Sequence, residues 1–425
     1  MTARTATDIV ARSAIEALRA GVPNRAAIGL LETDESALRQ NFLDRLRLCG
    51  AALRDEEQPE GIVIAGAFGA GKSHQLGYLG VLAQQENFIV SLVPISKETP
   101  LFDPARLFAA AIRAAVVPGA NDDVMTAVMA RLHPDSDRSE ALEHWTTAEA
   151  RAGRLSPLFA ALLHLMPRRT TDPDDHVRMA RFFAGGKFGL TMAKSWLREA
   201  GAARLFDLKP VREADLALQR LRFAPRLFRA AGYSGWCILL DEAELIARYS
   251  PLQRGRSYAE LARWLGSDWE ERIPGVVTVA ALTDDFPDQM FHQRRDDERI
   301  PPLLETRGLL RQAAMARSGI ARLERRPSRL SAPDEAGLRR SLEKIGALYR
   351  DAYHWTPPKI EIGERLAGKS MRQYVKSWIA IWDIMRLYGE TPVISAETIE
   401  TDYTESNEVE DAAARGSEDD AARAE

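Results

Sequence analysis

Four short apolar runs along the chain predict the strands of a buried β-sheet. They occupy residues 62–65, 88–95, 236–240 and 276–282. The first run is rich in β-branched residues and lacks polar alternation, which is typical of a strand buried on both faces of a parallel sheet. A helical stretch at about 72–84 lies between the first two runs and completes a βαβ unit. The pattern therefore predicts an α/β fold built on a parallel sheet.

Helical periodicity accounts for most of the remaining chain. An amphipathic stretch at 7–20 ends at a Gly-Val-Pro-Asn turn cluster, and a second at about 35–54 carries an apolar stripe. The second and third apolar runs are separated by 140 residues, far more than an ordinary crossover contains. We therefore expect 105–230 to form a helical insertion packed beside the sheet. After residue 331 the pattern is helical again.

A glycine-rich loop follows the first predicted strand and opens the next helix. It matches the phosphate-binding motif G-x-x-x-x-G-K-[ST] at every fixed position, through Gly66, Ala67, Phe68, Gly69, Ala70, Gly71, Lys72 and Ser73. Such glycines turn backbone N–H groups toward phosphates, and the helix N-terminus adds positive potential. We expect Lys72 to neutralise the β- and γ-phosphates of ATP and Ser73 to bind Mg²⁺. A plain turn with a surface lysine explains the strand–loop–helix context less well.

The third apolar run ends in two carboxylates, Asp241 and Glu242. We expect the strand beside the phosphate-loop strand to deliver Asp241 to Mg²⁺, and Glu242 to polarise the water that attacks the γ-phosphate. The alternatives are that Asp241 caps the following helix and that Glu242 is a solvated residue of its first turn. The glycine-rich loop earlier in the chain favours the catalytic interpretation.

Two further residues are candidates for sensing the nucleotide. Thr283 ends the fourth apolar run, where it could bond the attacking water or the γ-phosphate, or could simply cap the next turn. Arg372 follows Ser370 in a capping-box pattern that begins the last strong helix. A cation is disfavoured in a first helical turn, which suggests an arginine that reaches from a helical lid onto ATP. The alternative is an exposed arginine whose stem covers the apolar face.

Other arginines permit two more functions without deciding either. If subunits share the site, an arginine finger could come from Arg294, Arg295 or Arg299, or from Arg248, Arg254 or Arg256. The segment 212–229 contains five arginines, at 212, 220, 222, 226 and 229. These could form a nucleic-acid surface, but few aromatic residues lie among them, which favours a solvated helix face.

Composition excludes several classes of protein. The 425 residues are 45% hydrophobic, enough for a sizeable core, yet no apolar run approaches the length of a membrane span. Two cysteines, Cys49 and Cys237, argue against a disulfide scaffold and for a reducing cytoplasm, and seven scattered histidines make a zinc site unlikely. Net charge is −4, but 396–425 carries eleven acidic residues against two arginines. We expect this tail to be disordered and the body to be mildly basic.

The order of these features resembles the AAA+ pattern, with the origin-recognition and STAND branches as its nearest relatives. More narrowly, the chain resembles the BREX-system ATP-binding family. The resembling segments are AIEALRAGVPNR at 14–25, GAFGAGKSH at 66–74, ISKETPLFDP at 95–104, LLDEAELIARYS at 239–250, YAEL at 258–261 and SMRQYVKSWIAIWDIMRLY at 370–388. Size and layout favour the small BrxD-like branch over the much longer BrxC branch.

The resemblance implies an ATP- and Mg²⁺-dependent component of bacterial anti-phage defence that acts with other BREX proteins. It extends the nucleotide-binding segment to His74, carries Asp241 and Glu242 over as site residues, and gives Thr283 and Arg372 sensor-like positions. It permits DNA binding, directly or through partners, and a homo-oligomer. The lack of a long apolar run predicts no membrane association. The chain departs from origin-recognition proteins in one respect, because the acidic tail after 388 leaves no room for their winged-helix domain. One alternative function is a switch that binds ATP, hydrolyses it slowly or not at all, and recruits partners through its helical insertion. Another is a helicase loader outside any defence system.

These expectations divide the chain into six parts. They are 1–60, N-terminal helices of the ATPase domain; 61–104, the phosphate-loop βαβ unit; 105–230, the helical insertion; 231–330, the Asp241 and Thr283 strands; 331–390, the helical lid; and 391–425, the acidic tail.

Overall fold

The computed structural model describes most of the chain. The described residues are 6–20, 35–51, 58–119, 123–133, 135–168, 173–325, 327–330, 334–360 and 371–389. Ser370, which the predicted capping box requires, and the predicted acidic tail lie outside them.

A mixed, mostly parallel sheet of six strands forms the centre of the molecule. Its order is β3-β2-β4-β5-β1-β6, and only β3 runs antiparallel to its neighbour. The strands are β1 (Ile62–Ala65), β2 (Phe88–Pro94), β3 (Ala115–Val116), β4 (Gly235–Asp241), β5 (Val276–Leu282) and β6 (Ser328–Arg329). The four strands predicted from the apolar runs are therefore present, and the α/β class is confirmed.

One expectation about the sheet is wrong. The strand that carries Asp241, β4, is not the neighbour of the phosphate-loop strand β1, because β5 pairs with both and lies between them. Every residue of β5 is buried. A strand that is buried along its whole length can be covered by helices on both faces, which suits it to this central place in a parallel sheet.

Helices pack on both faces of the sheet, and three further helices share a cluster of their own. They are α1 (Ala6–Ala20), α2 (Ser36–Ala51), α3 (Lys72–Gln85), α4 (Pro104–Arg113), α5 (Val124–Arg131), α6 (Asp137–Arg151), α7 (Pro157–Leu165), α8 (Pro173–Phe183), α9 (Leu190–Glu199), α10 (Glu213–Ala230), α11 (Pro251–Trp264), α12 (Asp296–Thr306), α13 (Leu310–Glu324), α14 (Glu335–Tyr353) and α15 (Met371–Tyr388). Within the described residues, none of these helices has the length and apolar character needed to cross a bilayer.

The two faces of β4 contact different helical layers, as the period of a strand requires. Cys237 and Leu239 belong to the core cluster that contains α2 and α3. Trp236, Ile238 and Leu240 belong to the larger cluster on the opposite face, which contains α4 to α13. The phosphate-loop helix α3 is thereby held between the sheet and α2.

Between β2 and β4 the described residues form the helices α4 to α10 and the short edge strand β3. Aromatic residues occupy the centre of this region: the Phe159 ring lies 5.0 Å from the rings of Phe182 and Phe223. The region contacts the sheet through Phe228, whose ring lies 5.5 Å from that of Trp236.

Helix α1 packs with the last two helices, α14 and α15. Its buried residues Ala11, Ala14 and Ile15 share a cluster with residues of α14 and α15. Arg19 joins the three helices, because its guanidinium donates to Asp383 at 3.0 Å and to the Tyr353 hydroxyl at 3.1 Å. The apolar stripe of α1 gives no indication of its partner, which lies more than 300 residues away.

Candidate functional site

The loop between β1 and α3 is shaped by its glycines. Gly69 and Gly71 have φ values of 78° and 97°, in the left-handed region that favours glycine. Gly71 immediately precedes α3, so the free N–H groups of the first helical turn begin at the loop. The backbone N–H of Gly66 donates to the carbonyl of Leu282, which fixes the start of the loop against β5. Ala67 and Phe68 form its exposed tip.

Lys72 lies beneath the loop. Its side chain is buried, and its ammonium donates to the carbonyls of Gly66 at 2.9 Å and Ala67 at 3.3 Å. These bonds hold the charge on the inner side of the loop, where a phosphate would meet both the ammonium and the helix N-terminus. Ser73 and His74 follow in the first turn of α3 and are half-buried.

Asp241 and Glu242 lie at the carboxyl end of β4. Asp241 is buried, and its Oδ1 accepts a bond of 3.0 Å from the backbone N–H of Glu242. Glu242 is exposed and has a φ of 58°, an uncommon conformation for a residue with a side chain. The short helix that follows, Ala243–Arg248, has no side-chain cap. The capping alternative for Asp241 therefore finds no support in the geometry.

Glu244 is a third carboxylate near the carboxyl end of β4 and was not predicted from the sequence. Its Oε2 is shielded from solvent and has no hydrogen-bond partner in the described part of the chain. Burial raises the pKa of Glu244, and the charges of Asp241 and Glu242 act in the same direction, whereas its own backbone N–H and the charge of Lys72 oppose them. The second Glu of the Asp-Glu-Ala-Glu sequence was the available signal, but burial cannot be read from it.

Thr283 follows β5 directly and is half-buried. Because β5 lies between β1 and β4 and runs parallel to both, Thr283 lies at the same sheet edge as the loop and Asp241. A turn begins here, since the Thr283 carbonyl accepts from the N–H of Phe286 at 3.2 Å. The next helical segment starts only at Asp288, after Pro287.

Arg372 brings the lid to the loop. It is the second residue of α15, and its guanidinium carbon lies 5.7 Å from the centre of the Phe68 ring. Phe68 is 66% exposed. The predicted lid arginine thus lies beside the phosphate loop, on an aromatic side chain at its tip.

The arginine-finger candidates differ in their contacts and in their exposure to solvent. Arg254 is buried and makes a bidentate ion pair with Asp296 at 2.7 and 2.8 Å, which indicates a structural role. Arg294 donates to the carbonyl of Ala247 at 2.7 Å. Arg295 is exposed and pairs with Glu298, Arg248 and Arg299 are exposed, and Arg256 is half-buried.

The arginines of 212–229 have intramolecular contacts. Arg212 pairs with Asp215, and the buried Arg220 pairs with Glu213 and donates to the carbonyls of Phe182 and Gly186. The other contacts are those of Arg222 with Glu271 and of Arg226 with the Trp145 ring, while Arg229 also has a partner. These contacts favour a structural face over a phosphate-binding surface.

The residues at the sheet edge fit a magnesium ion held together with a nucleotide. In the described residues no group of three or more His, Cys, Asp or Glu side chains could hold a metal alone. Mg²⁺ usually needs only one or two protein ligands when phosphates supply the others. The buried carboxylate of Asp241 and the hydroxyl of Ser73 are of the hard oxygen type that this ion requires.

Comparison with known proteins finds a family model that matches part of the chain. Residues 200–379 match the family model described as BREX system ATP-binding protein BrxC/D. The match confirms the family identified from the sequence, and it covers β4, β5, α14 and half of α15. The glycine-rich loop precedes the matched segment. No curated protein and no solved structure matches the chain.

Proposed function

We propose that this chain, a BREX-system ATP-binding protein, binds ATP with Mg²⁺ at the 66–73 loop and hydrolyses it. The observation that carries the proposal is the position of β5 between β1 and β4. Two strand spacings separate the loop from Asp241 and Glu242 by roughly 10 Å. That gap accommodates a γ-phosphate, its metal ion and an attacking water between the lysine and the carboxylates.

Each residue has a distinct task in this reaction. Lys72 and the N–H groups at the start of α3 hold the phosphates, while Ser73 and Asp241 hold Mg²⁺, which neutralises charge on the phosphate oxygens when bound. Glu242 accepts the proton of the attacking water, for which its exposed position leaves room. Thr283 bonds that water or the γ-phosphate. Arg372 moves from Phe68 to the phosphates.

Lid movement couples the nucleotide to the partners of the chain. The lid consists of α1, α14 and α15, so a shift of Arg372 displaces the N-terminal helix as well. We place the chain in the BrxD-like branch of anti-phage defence in the cytoplasm, acting on other BREX proteins. DNA contact then occurs through those partners, because the 212–229 arginines are engaged within the chain.

Steady-state ATP turnover, with and without duplex and single-stranded DNA, tests the proposal. Glu242→Gln should lower kcat by about 10²- to 10⁴-fold while fluorescent ATP still binds, because only the proton acceptor is lost. Lys72→Ala should abolish binding. The exposed Glu305 provides the matched control, and Glu305→Gln should turn over ATP as the wild type does. Unchanged turnover in Glu242→Gln would contradict the assignment. Binding without turnover under every condition would indicate a switch.

A further inference from the structure

The carboxylate of Glu244 has no structural explanation in the described residues. It forms no ion pair there, and its Oε2 is shielded from solvent without a hydrogen-bond donor. An unpartnered buried acceptor is costly, and more so when it is charged. The chain tolerates this cost close to Asp241 and Glu242, at the carboxyl end of β4. Such a group calls for an explanation, and a water molecule or an ion that it binds is one.

Glu244 lies three residues after Asp241, close to the carboxyl end of β4. Glu244 is the second residue of the short helix Ala243–Arg248, and its own backbone N–H bonds to the carboxylate. In the described residues its Oε2 has no hydrogen-bond partner. The charges that act on the group are those of Lys72, Asp241 and Glu242. Glu244 therefore lies near the residues to which the proposed function assigns phosphate and metal binding.

We propose that Glu244 is a positioning residue whose Oε2 accepts a hydrogen bond from a water molecule of the Mg²⁺ shell. The proposal rests on the proposed function and assigns a role to a residue that the reaction otherwise does not use. Mg²⁺ gives up its waters reluctantly and keeps several in nucleotide sites. Each of these waters is a donor, and Glu244 offers an acceptor with no competing partner among the described residues.

The proposal separates the roles of the two glutamates. Glu242 is exposed and has room to take a proton, whereas the Oε2 of Glu244 is shielded from solvent. Removing Glu244 should therefore weaken metal binding first and turnover as a consequence. Groups that hold metal-bound water or ligands typically contribute 10- to 100-fold to metal affinity. The charge of Glu244 also opposes bound phosphate, so its loss should not weaken metal-free nucleotide binding.

Titration of fluorescent ATP on the full chain, with Mg²⁺ and in EDTA, tests this role. For Glu244→Gln we expect a Mg²⁺ requirement raised by about 10-fold or more, with equal or tighter nucleotide binding in EDTA. Glu244→Asp keeps the charge but withdraws the oxygen, and it should also raise the requirement. Glu242→Gln should keep the wild-type Mg²⁺ requirement, as should the surface control Glu305→Gln.

Three results would overturn the inference. The first is a wild-type Mg²⁺ requirement in Glu244→Gln, and the second is a wild-type requirement in Glu244→Asp, which would assign the effect to charge alone. The third is a lower melting temperature of ligand-free Glu244→Gln with metal binding unchanged, which would indicate a structural role. Failure of the proposed function would look different, because the wild type itself would then bind no nucleotide.

Discussion

Phe68 and Arg372 show how two residues link the loop to the lid. A large aromatic side chain at the tip of a loop is 66% exposed, and the lid arginine covers part of its face at 5.7 Å. Exposed contacts of this kind contribute about 0.5–1 kcal/mol. The guanidinium that the proposal assigns to ATP phosphates is thus held near them in the ligand-free protein. ATP must displace this contact before Arg372 can bind phosphate.

Phe68→Leu should therefore tighten ATP binding. Loss of about 0.5–1 kcal/mol of competing contact corresponds to a 2- to 5-fold lower Kd. The measurement is a fluorescent-ATP titration of Phe68→Leu, Arg372→Ala and the double variant. In the Arg372→Ala background the substitution at Phe68 should have no effect. Weaker binding in Phe68→Leu alone would show that the ring contacts the nucleotide instead.

The two cysteines should be inert in the folded protein. Both are free and buried, and burial raises the pKa of the Cys49 thiol to about 12 and also raises that of Cys237. Because unfolded thiols ionise near pH 8.5, stability should be intact below that pH and decline as pH rises toward the folded values. Iodoacetamide at pH 8.5 should label neither thiol in the native state and both in urea. Native labelling at the unfolded rate would contradict this.

At the scale of elements, local patterns predicted which segments form but not how they pair. The runs at 62–65 and 276–282 predicted β1 and β5, because a mostly apolar run shows in the sequence whichever strand it pairs with. Their adjacency could not be predicted, since the periodicity of a strand does not identify its neighbour. The two-residue strands β3 and β6 are too short to show a pattern. Glu244 was missed for a related reason, because its burial depends on tertiary packing.

The packing of α11 against α13 depends on one glycine. A methyl group built at Gly319 in α13 would lie 2.0 Å from the backbone carbonyl oxygen of Tyr258 in α11, so the helices would have to separate. Alanine at this position should destabilise the protein by about 1–3 kcal/mol or more.

A matched glycine in another helix provides the control for Gly319→Ala. At Gly346 in α14 the same methyl group would meet Trp382 at an ordinary 3.5 Å. Gly346→Ala should be neutral or stabilising by about 0.5–1 kcal/mol, because alanine favours helix. Urea unfolding measures both variants. Equal stability of the two would contradict the close crossing of α11 and α13.

At the scale of the whole molecule, most of the buried apolar residues of the described segments fall into two groups. The sheet and its covering helices form one core, and α1 with α14 and α15 forms the other. The lid therefore cannot be assembled until both ends of the described chain are present. The site lies where the two meet, as the contact of Arg372 with Phe68 shows.

This division predicts that a destabilising substitution in α1 lowers the stability of α14 and α15 but not that of the sheet. Ile15 is fully buried among lid residues, so Ile15→Ala should cost about 2–5 kcal/mol of lid stability. Hydrogen exchange should accelerate in α14 and α15 while amides of β4 and β5 keep their protection. Ile9 on the same helix is 58% exposed, and Ile9→Ala should leave both regions unchanged. Faster exchange in β4 and β5 as well would mean that the two cores unfold as one. A less stable lid in Ile15→Ala should also weaken ATP binding, because Arg372 depends on this core for its position.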